Sequence, residues 1–304
     1  MRRLPDFVIV GAQKAASTLL LHSLRRHPEA WLPAAEQPFF RDPVYTPGGF
    51  DAFARPYATR SERRLGLKCP DYLARPEVPP RLAADLHDPD LIVCLRDPVA
   101  RAVSAYFWKM RWGVIPVLPV EEGLRRILNG GLRDHDPTVG EVLHWGNYGS
   151  HLSRYLEHFD REKILVLFDD ELKRSPAETV NRLTGFLGIS DLDPSKPGRR
   201  ARNEGVYSLP RLRFLQRRSS VILRWNADRT YYSIPKPRRV DRRLFSLGIA
   251  GIDHVVLSRI HGNRRPRLSA ELDRSLRDYY RDDMRLLATL VGRDPGWIEQ
   301  VPGV

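Results

Sequence analysis

The chain has 304 residues, 42% of them apolar and 29% charged, the balance of a globular protein that buries a core of its own as one large α/β domain or a domain with a cap. Fifty lysines and arginines against 37 aspartates and glutamates give a formal charge of +13, which favours anionic partners and leaves the fold open. Two cysteines, Cys69 and Cys94, make neither a disulfide framework nor a CxxC pair, which excludes a disulfide scaffold and points to a reducing, cytoplasmic setting.

The opening MRRLPDFVIVGAQK has an apolar run of only four residues behind Asp6, so it reads as a first strand, Phe7–Val10, and not as a targeting segment. A glycine turn, Gly11–Ala16, leads to a helix at Ser17–His27 with Leu20, Leu21 and Leu24 on its apolar face and Pro28 as its stop. After the polar and aromatic loop PAAEQPFFRDP, a short strand at Leu65–Lys68 runs into KCPDYL. LIVCL, Leu91–Leu95, is apolar throughout, as central parallel strands are, and places Cys94 inside. Pro98 opens a helix to about Trp112. Helices at Val120–Asn129 and Tyr148–Phe159 precede a third apolar strand, Lys163–Phe168. Ser175 and Glu178 make a capping-box pattern for a helix to Leu187, with Gly188 at its C-cap.

This alternation predicts an α/β fold: a central parallel sheet flanked by helices on both faces. From Arg199 to Arg243, thirteen arginines stand against three acidic residues, the composition of a surface subdomain or lid. The apolar run Leu244–Leu257 is too short to span a bilayer and, holding Asp253 and His254, reads as a buried helix rather than a contact with lipid. The last helix, Ser269–Leu290, carries Leu272, Leu276, Tyr279, Tyr280 and Leu286 at helical spacing and is expected to pack back onto the sheet.

Two segments carry chemistry. FVIVGAQKAASTLLLHSL sets a strand, a tight turn, a lysine, two hydroxyls and a helix N-terminus in series, which makes an anion cradle from Lys14, Ala15, Ala16, Ser17 and Thr18. The plainer reading is a glycine turn with a solvated lysine. A nucleoside-triphosphate P-loop needs GxxxxGK[ST], whereas Lys14 stands three residues from both Gly11 and Ser17, which argues against ATP hydrolysis. In LIVCLRDPVARAVSAYF, Arg96 ends a buried strand, where open α/β sheets bind ligands. Ser104 follows about two helical turns on, with Arg101 between, so Arg96 and Ser104 can hold a second phosphate. A structural Arg96–Asp97 ion pair is the alternative.

GAQKAASTLL resembles the 5′-phosphosulfate loop, GxxKxGTxxL, of sulfotransferases that use 3′-phosphoadenosine 5′-phosphosulfate (PAPS), and RDPVARAVSAY resembles their 3′-phosphate motif, RDPxxRxxSxY, at every position. The resemblance covers roughly residues 5–204 and the final helix. Ala16 departs from it, standing where the family has glycine. AEQPFF is similar to the ExxFF stretch of the heparan sulfate branch, which implies Glu36 as catalytic base, with His144 and His151 in reserve; Ala35 stands where that branch commonly has lysine. KCPDYL resembles the K-x-P-x-Y segment and implies Lys68 near the transferred group, while RRARNEG is similar to the loop over the nucleotide and puts Arg202 near the 3′-phosphate.

The resemblance thus implies a P-loop-like three-layer fold with an Arg-rich helical lid or cap, within a single domain 1–304 whose residues 205–264 form the lid or acceptor subdomain. It implies PAPS as donor, no metal, and a hydroxyl (less readily an amine) of a carbohydrate, glycolipid or small natural product as acceptor. Lys14, Glu36 and Lys68 become the catalytic set. Lys14, Ala15, Ala16, Ser17, Thr18, Arg96, Ser104 and Arg202 become the nucleotide set. Phe39, Phe40 and Tyr72 are candidates for the acceptor pocket or for core packing. The rival readings are a P-loop kinase or NTPase, and a non-enzymatic protein whose arginine-rich segment meets nucleic acid or membrane. That segment carries no nucleic-acid reading motif, so no nucleic-acid partner is expected.

Overall fold

A computed structural model of the chain describes residues 3–15, 17–134, 136–192, 205–227, 232–233 and 240–297. The strands are β1 (Phe7–Gly11), β2 (Ala30–Trp31), β3 (Arg64–Lys68), β4 (Asp90–Leu95), β5 (Ile164–Phe168), β6 (Arg224–Trp225) and β7 (Tyr232–Ser233). The helices are α1 (Ser17–Leu24), α2 (Phe50–Ala54), α3 (Val78–Asp85), α4 (Pro98–Arg111), α5 (Val120–Leu128), α6 (Glu141–His144), α7 (Tyr148–Leu156), α8 (Asp169–Arg174), α9 (Pro176–Phe186), α10 (Leu209–Ile222), α11 (Val240–Ile252), α12 (Ser258–His261) and α13 (Ala270–Val291). Two compact units share them, one of Met1–Asp97, Asn147–Arg202 and Tyr280–Val304, the other of Pro98–Gly146 and Asn203–Tyr279.

The first unit holds a parallel sheet in the order β2-β3-β1-β4-β5. Every residue of β1 is buried, and so are Leu91–Leu95, because both faces are covered; this is why these strands read as unbroken apolar runs. On one face Phe7, Ile9, Ile92, Cys94 and Leu167 pack with Leu20, Leu21 and Leu24 of α1 and with Leu172, Leu183 and Leu187 from α8 and the α9 end. On α7, the Asp283 carboxylate from α13 accepts the N–H groups of Gly149 and Ser150, both at 2.8 Å, and so satisfies donors that a helix start leaves open.

One arginine ties the N-terminal ends of three strands. Arg64 donates to Asp6 at 2.6 Å, to Asp90 at 2.5 Å and to the Leu187 carbonyl at 2.8 Å, while Asp6 accepts the Leu65 N–H at 3.0 Å. Burial raises the Asp6 carboxyl above its ordinary value even so.

Expected helix ends shift by up to three residues. The first helix stops at Leu24, because Arg26 and His27 turn to three-residue hydrogen bonds and the His27 ring bonds the Ser190 carbonyl at 2.7 Å. The capping box is not at Ser175, whose side chain makes no cap bond; Glu171 instead accepts the Phe168 N–H at 3.1 Å at the start of α8. Gly188 does close the next helix, with φ +62°. Along α13 the buried residues are Leu272, Leu276, Tyr280, Met284 and Leu287, whereas Tyr279 and Leu286 are exposed, since a stripe at spacings of four and three selects Met284 and Leu287 in their place.

In the second unit Lys109 donates to Thr138 at 2.6 Å and pairs with Glu141 at 3.1 Å, which joins α4 to α6. Helix α10 lies beside α11, and β6 pairs antiparallel with β7. The run Leu244–Leu257 forms α11 and a π-helical turn, Asp253–Leu257, but it is not a buried helix: Leu244, Phe245, Leu247, Ile252, Val255 and Val256 are exposed. Its inward positions go to Ser246, Ile249 and Asp253.

Gly66 of β3 lies opposite Phe7, and a Cβ there would stand 2.1 Å from the buried Phe7 ring. Gly66→Ala is expected to destabilise the chain by about 2–3 kcal/mol, the cost of forcing extra volume into a packed core. Urea denaturation measures it, and the same change made beside Phe7→Leu should cost less than half as much.

Candidate active site

The C-terminal edge of the sheet gathers three cations. Lys68 ends β3, Lys14 lies three residues past β1, and Arg96 follows β4 directly. These strands are neighbours, so their ends are spaced by about 4.8 Å each. Strand order also reverses here: the chain passes from β1 to β2 and β3 on one side, then to β4 and β5 on the other, the place where open α/β sheets bind ligands.

The Lys14 loop is held from both flanks. The Ala12 N–H donates to the Cys94 carbonyl at 2.7 Å, and Arg96 Nη1 donates to the Lys14 carbonyl at 3.2 Å. On the other side Gln13 donates to Asp71 at 3.3 Å, and Asp71 in turn pairs with Arg41. The Ala15 N–H closes the turn onto the Ala12 carbonyl at 3.3 Å. Lys14 itself takes a left-handed conformation, φ +69°, at a cost of about 1 kcal/mol for a residue with a side chain. Ala16 lies outside the described residues. Ser17 and Thr18 open α1, with Thr18 half-buried.

Lys68 and Glu36 form an ion pair at 2.6 Å. The lysine side chain is 2% exposed and the carboxylate 52% exposed, so the ammonium is buried while Glu36 stands in solvent. The Gln37 N–H donates to the Lys68 carbonyl at 3.0 Å, and the Tyr72 hydroxyl donates to the Gln37 carbonyl while accepting the Phe40 N–H at 3.1 Å. Phe39 stacks on Phe53 at 4.7 Å and Phe40 meets Phe53 edge-on at 5.1 Å. Phe39, Phe40 and Tyr72 are thus buried packing beneath the Glu36 loop.

Arg96 also pairs with Asp169, at the far end of β5, at 3.5 Å; Asp169 is buried and shared with Lys173 at 2.6 Å. Sequence spacing alone does not mark Asp169 as a partner of Arg96. Its role as the anchor of Arg96 follows from β5 lying beside β4, which a single sequence does not encode locally. Asp71 escaped notice likewise, although it sits in KCPDYL.

Ser104 is buried on α4 in the second unit, where Arg101, fully buried, donates to the Val142 carbonyl and fastens α4 to the start of α6. His151 is fully buried on α7, and His144 is exposed on α6 of the second unit. Arg202 lies outside the described residues. Cys69, next to Lys68, donates its N–H to the Ile9 carbonyl at 3.2 Å; burial pushes both thiols far up, so neither is a nucleophile at neutral pH.

Three cations in a row suit an anion with charge at more than one point, and a carboxylate on the last of them can take a proton from a neutral partner. Residues 67–197 match a family model described as a sulfotransferase domain. The chain is 29% identical over 299 residues to mouse heparan sulfate glucosamine 3-O-sulfotransferase 3A1, covering 97% of this chain and 65% of that protein. It is 33% identical over 190 residues to mouse heparan sulfate glucosamine 3-O-sulfotransferase 6, covering 62% of this chain and 53% of that one. The chain thus spans just under two thirds of the first relative and about half of the second. A sulfotransferase from Alicyclobacillus acidocaldarius shares the fold, with TM-score 0.65 and 22% identity over 98% of this chain and 100% of that one.

Since Lys14 is held at positive φ, Lys14→Gly is expected to leave stability unchanged or raise it by up to about 1 kcal/mol. Guanidinium denaturation checks this; a loss above that size would show that the lysine side chain holds the loop.

Proposed function

We propose that the chain is a sulfotransferase like the proteins it resembles, and that it moves a sulfuryl group from PAPS to a hydroxyl of a carbohydrate or carbohydrate-bearing acceptor. The observation that carries this is the Lys68–Glu36 pair, 2.6 Å long, at the tip of the strand next to the Lys14 loop, with Arg96 on the loop's other side. PAPS supplies the sulfuryl group and a phosphate that departs from it. The acceptor class rests on the relatives, which are named for sulfation of heparan sulfate glucosamine.

In an in-line displacement, negative charge spreads over the equatorial and leaving oxygens, so catalysis is positioning plus cationic stabilisation. Lys14, fixed by its carbonyl to Arg96, sets its charge against the leaving oxygen. Lys68 steadies the oxygens in transfer and orients Glu36 through the same ammonium. Glu36, open to solvent, takes the proton of the acceptor hydroxyl, and acceptor binding is what desolvates it. Arg96 holds the 3′-phosphate. Ser17 and Thr18 offer donors at the start of α1 for the 5′-phosphate. Two buried free thiols fit the reducing, cytoplasmic setting proposed for the chain.

With labelled PAPS and a panel of glycan and small hydroxyl acceptors, Lys14→Ala is expected to lower turnover by about a thousandfold or more. Glu36→Gln should lower it by about 10²–10⁴ while donor affinity stays nearly constant; a normal rate in that variant removes Glu36 as base. Adenosine 3′,5′-bisphosphate at about a hundred times its Kd should add about 2.7 kcal/mol of stability, read as a rise in Tm, whereas ATP with magnesium should add none. The reverse order would favour a nucleoside-triphosphate enzyme.

A further inference from the structure

We propose that the outward face of α11 and the π-helical turn after it is a membrane-contact surface, an interfacial helix that seats on anionic lipid. The inference rests on the second unit alone and does not depend on the sulfotransferase reading.

The helix is amphipathic the wrong way round for a soluble protein. Its inward face carries Ser246, Ile249 and Asp253. Asp253 is held by both arms of Arg211, at 2.8 and 2.9 Å, and Ser246 accepts from Arg218 at 2.8 Å. Residues at helical spacing on the other side are apolar and exposed: Leu244 at 64%, Leu247 at 59%, Ile252 at 48% and Val255 at 53%. Phe245 and Val256 widen the stripe, and Ile260 of α12, 67% exposed, extends it. Gly248 and Gly251 sit in the same face with open space where a side chain would stand, so the stripe is flat in its middle. A contiguous apolar face on this scale marks an interaction site.

Charge selects the partner. Arg242 and Arg243 precede the stripe, Arg259, Arg264 and Arg267 follow it, and all five are exposed. The acids between 240 and 267 are Asp241 and Asp253, and Asp253 is already bound inward to Arg211. Two copies of this face would bring arginine against arginine, which disfavours a dimer seam. A soluble anionic polymer would meet the arginines and leave the leucines in water. A bilayer leaflet with anionic headgroups takes both at once, headgroups on the arginines and acyl chains under the apolar stripe. Among the described residues no helix is long and apolar enough to cross a membrane, so the contact is one that lies on the surface.

Flotation of the full chain with phosphatidylcholine vesicles containing about a third phosphatidylglycerol tests this against vesicles of phosphatidylcholine alone. The chain should float with the anionic vesicles, and its partition should fall at least about tenfold when salt is raised to about 0.5 M. The triple variant Leu244→Ser, Leu247→Ser, Val256→Ser should lose binding by a similar factor with an unchanged thermal melt, because these side chains are already in solvent. Sedimentation equilibrium without lipid, run in parallel, should give the mass of the chain unaltered by the triple change. No flotation, equal flotation with neutral vesicles, or a concentration-dependent doubling of mass that the triple variant abolishes overturns the proposal.

Discussion

Holding like charges together at one edge of a sheet is the constraint on which the rest of the first unit depends. Cations about 10 Å apart near a protein surface repel by roughly 1–2 kcal/mol per pair at an effective dielectric of about 20. The fold offsets this with carboxylates placed from outside the strands: Glu36 on Lys68, and Asp169 on Arg96. Arg96 also spends one N–H on the Lys14 carbonyl, so the loop between the two cations is fixed by one of them. The arrangement is strained where it is most exposed to charge, since Lys14 takes a conformation that glycine would take more readily. A lysine retained at positive φ is understandable if its ammonium is needed there and glycine's ease is not.

The opposite edge supplies the rigidity. Arg64 with Asp6 and Asp90 locks β3, β1 and β4 in register at their N-terminal ends, away from the site. A slip of one residue would turn every core side chain of a strand to the wrong face, and Gly66 beneath the Phe7 ring admits only the observed pairing. The site edge can then be built of loops, because nothing there has to hold the strands in place. Tyr72 shows the economy of the design: its hydroxyl binds both sides of the Glu36 loop while its ring packs on Phe40.

Much of this was legible in residues whose type follows from burial or from local turn chemistry. β1, β4 and β5 announced themselves as apolar runs because parallel strands are covered on both faces, and Gly188 as a helix end because only glycine takes φ +62° without cost. Lys14 and Arg96 stood out by their place just past such strands. β2, two residues long, left no period to read. Asp169 and Asp71 act through contacts that sequence spacing does not reveal, since each meets a partner brought alongside by sheet order. Phe39 and Phe40 were ambiguous for a plain reason: an aromatic beside a functional loop has the same composition whether it faces a ligand or supports the loop from below.

The helix at Leu244–Leu257 was misread for a deeper reason. Periodicity states that a helix has two faces, and the assumption that the apolar one points inward supplies the rest. Here two polar residues fix the rotation the other way. The buried Arg211–Asp253 pair adds little net stability, because burying both charges costs about as much as their attraction returns. Its bidentate geometry nevertheless permits a single orientation, and Arg218 on Ser246 repeats the constraint two turns away. An apolar helix free to rotate would have turned its leucines inward. What the pair specifies is direction, and the direction it specifies is leucine outward.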